Sequence, residues 1–276
     1  MRYEPRMAHP LSFEIRTSGI WQMTSTVLCH RGQVVLIDPG YFPRELAELA
    51  QCAQARGQLA GLVFTHGHWD HVNGWRQLPA APVWVSEPLA QAIAQDRESA
   101  RTNLREAAAF DRRWYIDRDG PPAWPPADRL RSLREGDVLP LGETQLDVLQ
   151  LPGHSDDGLG LWAREEGLLW VGDYLSPCEI PFVADLAAYR ATLQRLLSLL
   201  DTLRCVLPGH GPPLSADEAR EIAQADLSYL DALCEVAAAK TPASEAARAI
   251  ALPRGRDNPD MHEHHRDNCR IAGLSL

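Results

Sequence analysis

The stretch that most constrains this chain is His66-Gly-His-Trp-Asp-His71, which directly follows the apolar run Leu59–Thr65. The run reads as a buried strand. In an extended segment residues two apart point the same way, so His66 and His68 can converge on one ion. Asp70 and His71 come where the chain turns; as neighbours they point apart, which lets that pair serve a second ion. Gly67 and Gly74 permit the tight backbone this requires. A lone loop histidine is most often merely hydrogen-bonded. Four ligand-type side chains inside six residues, behind a strand, point to a metal site.

Three isolated residues gain meaning beside this cluster. His154 lies in Leu151-Pro-Gly-His-Ser-Asp-Asp-Gly158, after the strand-like run Gln145–Leu149. Asp173 ends the run Leu168–Val171 in Leu169-Trp-Val-Gly-Asp-Tyr174, and His210 follows Cys205–Leu207 in Pro208-Gly-His-Gly211. Taken singly, each histidine reads as a loop residue and Asp173 as a helix cap. Together they repeat one arrangement, a ligand-type residue beside glycine at the C-terminal end of a strand, where folds place their sites.

The remaining pattern sets the architecture. Strands are expected at Ser12–Ile20, Thr26–His30, Gln33–Asp38, Val83–Val85, Val138–Leu141 and Gly160–Trp162, and helices at Pro43–Arg56, Pro88–Gln95, Asp185–Leu200 and Ala216–Lys240. Residues 96–135 alternate arginines with acids and end in a proline-rich stretch, which reads as a helical insert and connector. The boundaries that follow are a catalytic domain at 1–215 carrying the insert at 96–135, and a C-terminal helical extension at 216–276 packed on it. Interspersed strands and helices suit an α+β sandwich, two sheets face to face under helices on both outer faces. Periodicity alone fits a doubly wound parallel sheet equally well; the polar clusters decide for the sandwich.

Composition narrows the function. With 27 basic and 37 acidic residues the formal charge is −10, which disfavours nucleic acid and anionic membrane surfaces as partners. A hydrophobic content of 45% excludes wholesale disorder. No apolar run approaches the ~20 residues of a membrane span, and the first thirty residues carry no leader-like stretch, so a cytoplasmic enzyme is expected. Six cysteines never form a C-x-x-C pair, so they read as small buried hydrophobes rather than metal ligands.

The string Thr65-His-Gly-His-Trp-Asp-His71, followed in order by His154, Asp173 and His210, resembles the metallo-β-lactamase superfamily over about Thr26 to Gly211. The resemblance implies an αββα four-layer sandwich with a dinuclear site at one edge of the sheets. It implies that His66, His68 and His154 hold one metal, that Asp70, His71 and His210 hold the other, and that Asp173 bridges them. The ligands are all nitrogen and oxygen, as in the glyoxalase II, lactonase and thioesterase branch. Zn²⁺ suits such a set first, with Fe or Mn as alternatives. The expected reaction is attack of a metal-bridging hydroxide on an ester-type carbonyl, thioester before lactone, with Asp70 both ligand and general base. A mononuclear iron persulfide dioxygenase and a signalling protein with residual thioesterase activity are the alternatives.

Recognition of the substrate, expected to be a small molecule, is less marked. Arg112 and Arg113, beside Trp114 and Tyr115 in the insert, are candidate contacts for an anionic group, and Tyr174 is a further candidate. Asp38, in Ile37-Asp-Pro-Gly, reads either as a turn former or as a group that orients a ligand histidine. The C-terminal segment does not match the glutathione-binding region of glyoxalase II. Its His262, His264 and His265 read as exposed tail or interface residues, with an extra metal site as the alternative. A homodimer is compatible with this composition.

Overall fold

The computed structural model describes residues 11–239 and 243–274; Lys240 at the expected end of the long helix and the first ten residues lie outside them. One sheet runs in the order β1 (Ser12–Thr17), β2 (Thr24–His30), β3 (Gln33–Ile37), β4 (Gln58–Val63), β5 (Val83–Ser86), β6 (Leu130–Leu133). Its first three strands are antiparallel and its last four parallel. The second sheet runs β11 (Cys205–Leu207), β10 (Leu168–Trp170), β9 (Leu159–Ala163), β8 (Thr144–Gln150), β7 (Val138–Leu141).

Strand periodicity explains the layering. Along β3, Val35 and Ile37 enter the core between the sheets, while Val34 and Leu36 turn outward to α1 (Pro43–Arg56). Along β9, Leu159, Leu161 and Ala163 face the first sheet and Trp162 the opposite way. Both faces of these central strands are therefore apolar and need helices over them. The first sheet is covered by α1 and by α3 (Glu87–Ala94), the second by α5 (Leu186–Leu199) and α6 (Ala216–Ala238). The result is the four-layer sandwich expected above.

Local chemistry sets the helix ends. α1 opens on Pro43 at a position where the missing N–H is not needed, and α6 opens on a Ser215–Glu218 capping box. Asp185 accepts a hydrogen bond from Ala188 N at 2.9 Å to start α5. After the short helix α7 (Ala243–Arg248), α8 (Pro259–Ile271) begins behind Asn258, which caps Asp260 N at 3.0 Å. Such caps contribute about 1 kcal/mol each.

One expected boundary is corrected. The insert at 96–135 shrinks, because Leu130–Leu133 is the edge strand β6, parallel to β5. Only Leu133 of its four residues is buried, so two exposed central positions hid it in an arginine-rich context. The rest of the insert is α4 (Glu98–Trp114) and the connector after it.

The C-terminal helices join the second sheet's outer layer through Met261, Cys269 and Leu274, packed in the same core as α5 and α6. A buried ion pair ties this segment down: Arg254 Nη1 lies 2.7 Å from Asp226 Oδ1, with Asp226 fully buried on α6. Burial pushes the Asp226 carboxyl up to about 6, against the lowering effect of Arg254. Removing one partner of such a pair leaves a bare buried charge, which costs about 3–5 kcal/mol. Arg254→Ala should therefore lower stability by about that amount in urea denaturation; a loss within error of zero would show that Asp226 needs no partner.

Candidate metal centre

All the ligand-type residues lie on loops at one edge of the two sheets. β4 leads through Phe64 and Thr65 into His66 and His68, and Trp69–Val72 then turns as a short helix, α2, carrying Asp70 and His71. His154 lies between β8 and β9, Asp173 just beyond β10, and His210 just beyond β11. The chain winds so that these C-terminal strand ends converge. His66, His68, His154 and Asp173 form one group of candidate ligand atoms within 4.8 Å of one another, and Asp70, His71 and His210 form a second.

The groups adjoin. His154 Nε2 lies 2.9 Å from His68 Nδ1 and 3.3 Å from His66 Nε2, while His71 Nε2 lies 3.2 Å from His210 Nε2. Asp173 faces both, with Oδ2 at 3.4 Å from His66 and 3.2 Å from His154, and Oδ1 at 3.3 Å from His71. Asp70 Oδ2 sits 3.5 Å from the Nε2 atoms of both His71 and His210. Gly209 makes the approach possible, since a Cβ there would fall 2.3 Å from Asp173 Oδ1.

The outer ring nitrogens decide which lone pairs face inward. His154 Nδ1 donates to Phe182 O at 2.9 Å and His210 Nδ1 to Trp21 O at 2.9 Å. His71 Nδ1 donates to Asp38 Oδ2 at 3.1 Å. The Thr65 hydroxyl donates to Asp38 at 2.7 Å, so it accepts from His66 Nδ1 at 3.0 Å. Each of these four rings thus has its Nδ1 proton engaged outside and turns its Nε2 inward, the orientation a metal ligand needs. Asp38 therefore orients two candidate ligands, His71 directly and His66 through Thr65: it also accepts from Thr65 N at 2.8 Å, and it holds a left-handed φ of 48° that Asp tolerates.

Charge favours a cation here. Burial opposes a proton on His71, yet Asp173, Asp70 and Asp38 hold its pKa well above the imidazole value. His210 is pushed up to about 10 by Asp173 and Glu179 despite its burial. Burial and the neighbouring His66 and His154 push His68 the other way. Burial would raise the Asp173 carboxyl, but His71 and His210 hold it well below the usual range. Asp173 Oδ1 is moreover buried without a hydrogen-bond partner. Converging imidazole lone pairs, buried carboxylates and an orphaned carboxylate oxygen fit divalent metal ions.

The sequence of residues 19–230 matches the family model of the metallo-beta-lactamase superfamily. The chain belongs to that superfamily. It is 30% identical over 207 residues to the acyl-coenzyme A thioesterase MBLAC2 of Gallus gallus, covering 70% of this chain and 71% of that one. Against MBLAC2 of Homo sapiens it is 28% identical over 250 residues, covering 82% and 86%. Among solved structures it is similar to TTHA1623 in a di-iron-bound form, with TM-score 0.55 and 28% identity over 74% of this chain and 96% of that one. The fold also matches the metallo-beta-lactamase family protein TTHA1429 from Thermus thermophilus, with TM-score 0.64 and 21% identity over 95% and 94%. The chain is a metal-dependent hydrolase of this superfamily.

A cavity of about 530 Å³ opens over both ligand groups, exposing His68, Asp70, His154, Asp173 and His210. Trp21, Phe110 and Trp114 line it as an aromatic group, and Ile180, Phe182 and Met261 add further apolar lining. Two expected substrate contacts are corrected. Tyr174 is 2% exposed, and its hydroxyl donates to Pro152 O at 2.6 Å and accepts from His154 N at 3.1 Å. It fixes the His154 loop rather than facing the cavity. Arg112 is exposed and absent from the lining, whereas Arg113 lines the cavity with its guanidinium over the Trp114 ring at 5.3 Å. On a helix the two point about 100° apart, so of these two exposed side chains Arg113 is the one that reaches the cavity rim.

The C-terminal histidines part company in the same way. His262 bonds Arg256 O at the surface, His264 lines the cavity against Phe182 with ring centroids 4.1 Å apart, and His265 is buried against Tyr229 and Ala247. None joins a candidate metal group among the described residues. Trp21, Phe182 and the α8 wall carried no sequence signal, because they meet the site only through the fold.

Asp173 faces both groups, so Asp173→Ala should lose bound metal and turnover together, read by elemental analysis and a hydrolysis assay. Two ions per chain with near-normal kcat in that variant would contradict the shared role.

Proposed function

We propose that this chain hydrolyses thioesters of a small molecule at a centre of two divalent ions. His66, His68, His154 and Asp173 would hold one ion, and Asp70, His71, His210 and Asp173 the other. The reading is carried by one observation: an aromatic-walled cavity stands directly over both ligand groups. The similarity to a curated acyl-coenzyme A thioesterase supports it. The nitrogen and oxygen donors suit Zn²⁺ first, with Fe or Mn next.

Ions bound there supply the Lewis acidity that lowers the pKa of water from near 15.7 toward neutrality and polarises a carbonyl oxygen. The protein's own groups do the rest. Asp70, at the cavity floor and 5% exposed, takes the proton of the attacking water as general base. Trp21, Phe110, Trp114 and Phe182 give the acyl group an apolar bed and exclude water around the carbonyl. A thiol has a pKa of about 8.5, so the thiolate departs without a proton and the reaction asks for a base but no dedicated acid. An amide would need both.

Charge at the rim limits what the thiol part can be. Among the described residues of the lining, Arg113 is the one basic side chain apart from the histidines, and Glu106, Asp260 and Glu263 share that lining. The described lining therefore offers an anionic group on the substrate a favourable position beside Arg113.

Three measurements test the reading. With the metal-loaded protein, kcat/KM should be highest for thioesters in a panel that also holds lactones and phosphodiesters; a preference for either of the others would overturn it. Asp70→Asn should lower kcat by about 10²–10⁴-fold with a modest change in KM, and an unchanged kcat would remove Asp70 from catalysis. One charge-assisted hydrogen bond contributes about 1.5–3 kcal/mol, so Arg113→Ala should lower kcat/KM for a phosphate-bearing thioester by about ten- to a hundredfold. A short uncharged thioester should lose far less, as should either substrate with Arg112→Ala. Equal losses on both substrates would make Arg113 a folding residue.

A further inference from the structure

The C-terminal helix holds more than the cavity wall. Asn268, on α8, is 2% exposed and spends its amide on the backbone either side of Phe182. Its Nδ2 donates to Pro181 O at 2.7 Å, and its Oδ1 accepts from Val183 N at 3.2 Å. Between these two anchored groups lies the Phe182 carbonyl, which accepts the Nδ1 proton of His154. Phe182 also presents its ring to His264, His154 and His68, at centroid distances of 4.1, 5.9 and 6.4 Å.

Segment 181–183 belongs to neither a helix nor a strand, so no ladder of hydrogen bonds fixes its carbonyls. The Asn268 amide does this instead, in the way a strand partner would, and from a fully desolvated position. The amide is itself held. Nδ2 also reaches Tyr229 Oη at 3.2 Å, and that hydroxyl pairs with His265 Nδ1 at 2.8 Å. Tyr229 stands on α6 and His265 on α8, so the clamp is braced by two helices of the C-terminal layer.

We infer that Asn268 is a positioning residue for the metal centre: by clamping both sides of Phe182 it keeps a carbonyl on His154 Nδ1 and so keeps the His154 Nε2 lone pair aimed at the metal. Without the clamp the carbonyl can swing to water, and His154 loses both its fixed tautomer and its ring orientation. Partners that orient a ligand histidine typically control metal affinity by about 10–100-fold. A single amide more than a hundred residues along the chain from His154 would thus set how firmly the first group holds its ion. This inference rests on His154 being a ligand.

The test is metal affinity of the full-length protein, measured by competition with a chromophoric chelator for Zn²⁺, with thermal melting alongside. Asn268→Ala should weaken binding of one ion by about 10–100-fold. Leu274→Ala, a truncation in the same core that touches neither Phe182 nor the cavity, should lower the melting temperature while keeping wild-type affinity. His154→Ala gives the loss expected when the ligand itself is removed; wild-type affinity in that variant would sink the ligand assignment rather than the clamp. Asn268→Asp keeps the side-chain shape and the acceptor for Val183 but sets an acceptor oxygen against Pro181 O in place of the donor, so it should also weaken binding, and it gives a second reading should the alanine variant not fold. Wild-type affinity in both Asn268 variants, or an equal loss in Leu274→Ala, would overturn the inference.

Discussion

The centre depends on hydrogen bonds made away from it. Five imidazoles and two carboxylates share one small buried space, an arrangement that hydrogen bonding alone cannot satisfy, since facing nitrogens 3 Å apart cannot both be acceptors. What holds four of the imidazoles there is the outer set: Phe182 O, Trp21 O, Asp38 and Thr65, each taking or sharing a proton on the far side of a ring. Each outer bond is modest in net stability. Their joint effect is to direct the rings' free lone pairs into one volume, where a divalent cation converts a costly cluster into a stabilising one.

The two-sheet frame serves this end because it can bring loops from distant parts of the chain to one edge. The sheets meet through a core that is apolar on both inner faces, so their relative placement is rigid. Loops leaving β3, β4, β8, β10 and β11 then arrive at fixed positions. Their polar contents can be costly and strained without loosening the core. The left-handed backbone at Asp38 and the close approach at Gly209 are two places where local comfort yields to the geometry of the site.

The candidate ligands are readable in the sequence because their chemistry is in the side chain and the spacing of four of them in one short motif. His66, His68, Asp70 and His71 advertise themselves together; His154, Asp173 and His210 do so by repeating a strand–glycine–ligand pattern. The sandwich followed from the same clusters, while β6 was hidden because an edge strand of four residues with two exposed central positions carries little periodicity. Tyr174 looked like a substrate contact by adjacency to Asp173, but the chain turns there and sends its hydroxyl back to the His154 loop. Phe182 and Asn268 gave no signal at all. One acts through a backbone carbonyl, which every residue possesses, and the other through pairing across 85 positions to Val183.

The most direct test of the account is anomalous X-ray diffraction from crystals of the Zn²⁺-loaded protein, collected at the zinc edge. It should show two peaks in the buried edge of the sandwich, one among His66, His68 and His154, the other among Asp70, His71 and His210, with Asp173 between them. A single peak, or zinc bound elsewhere with the two groups empty, would contradict it.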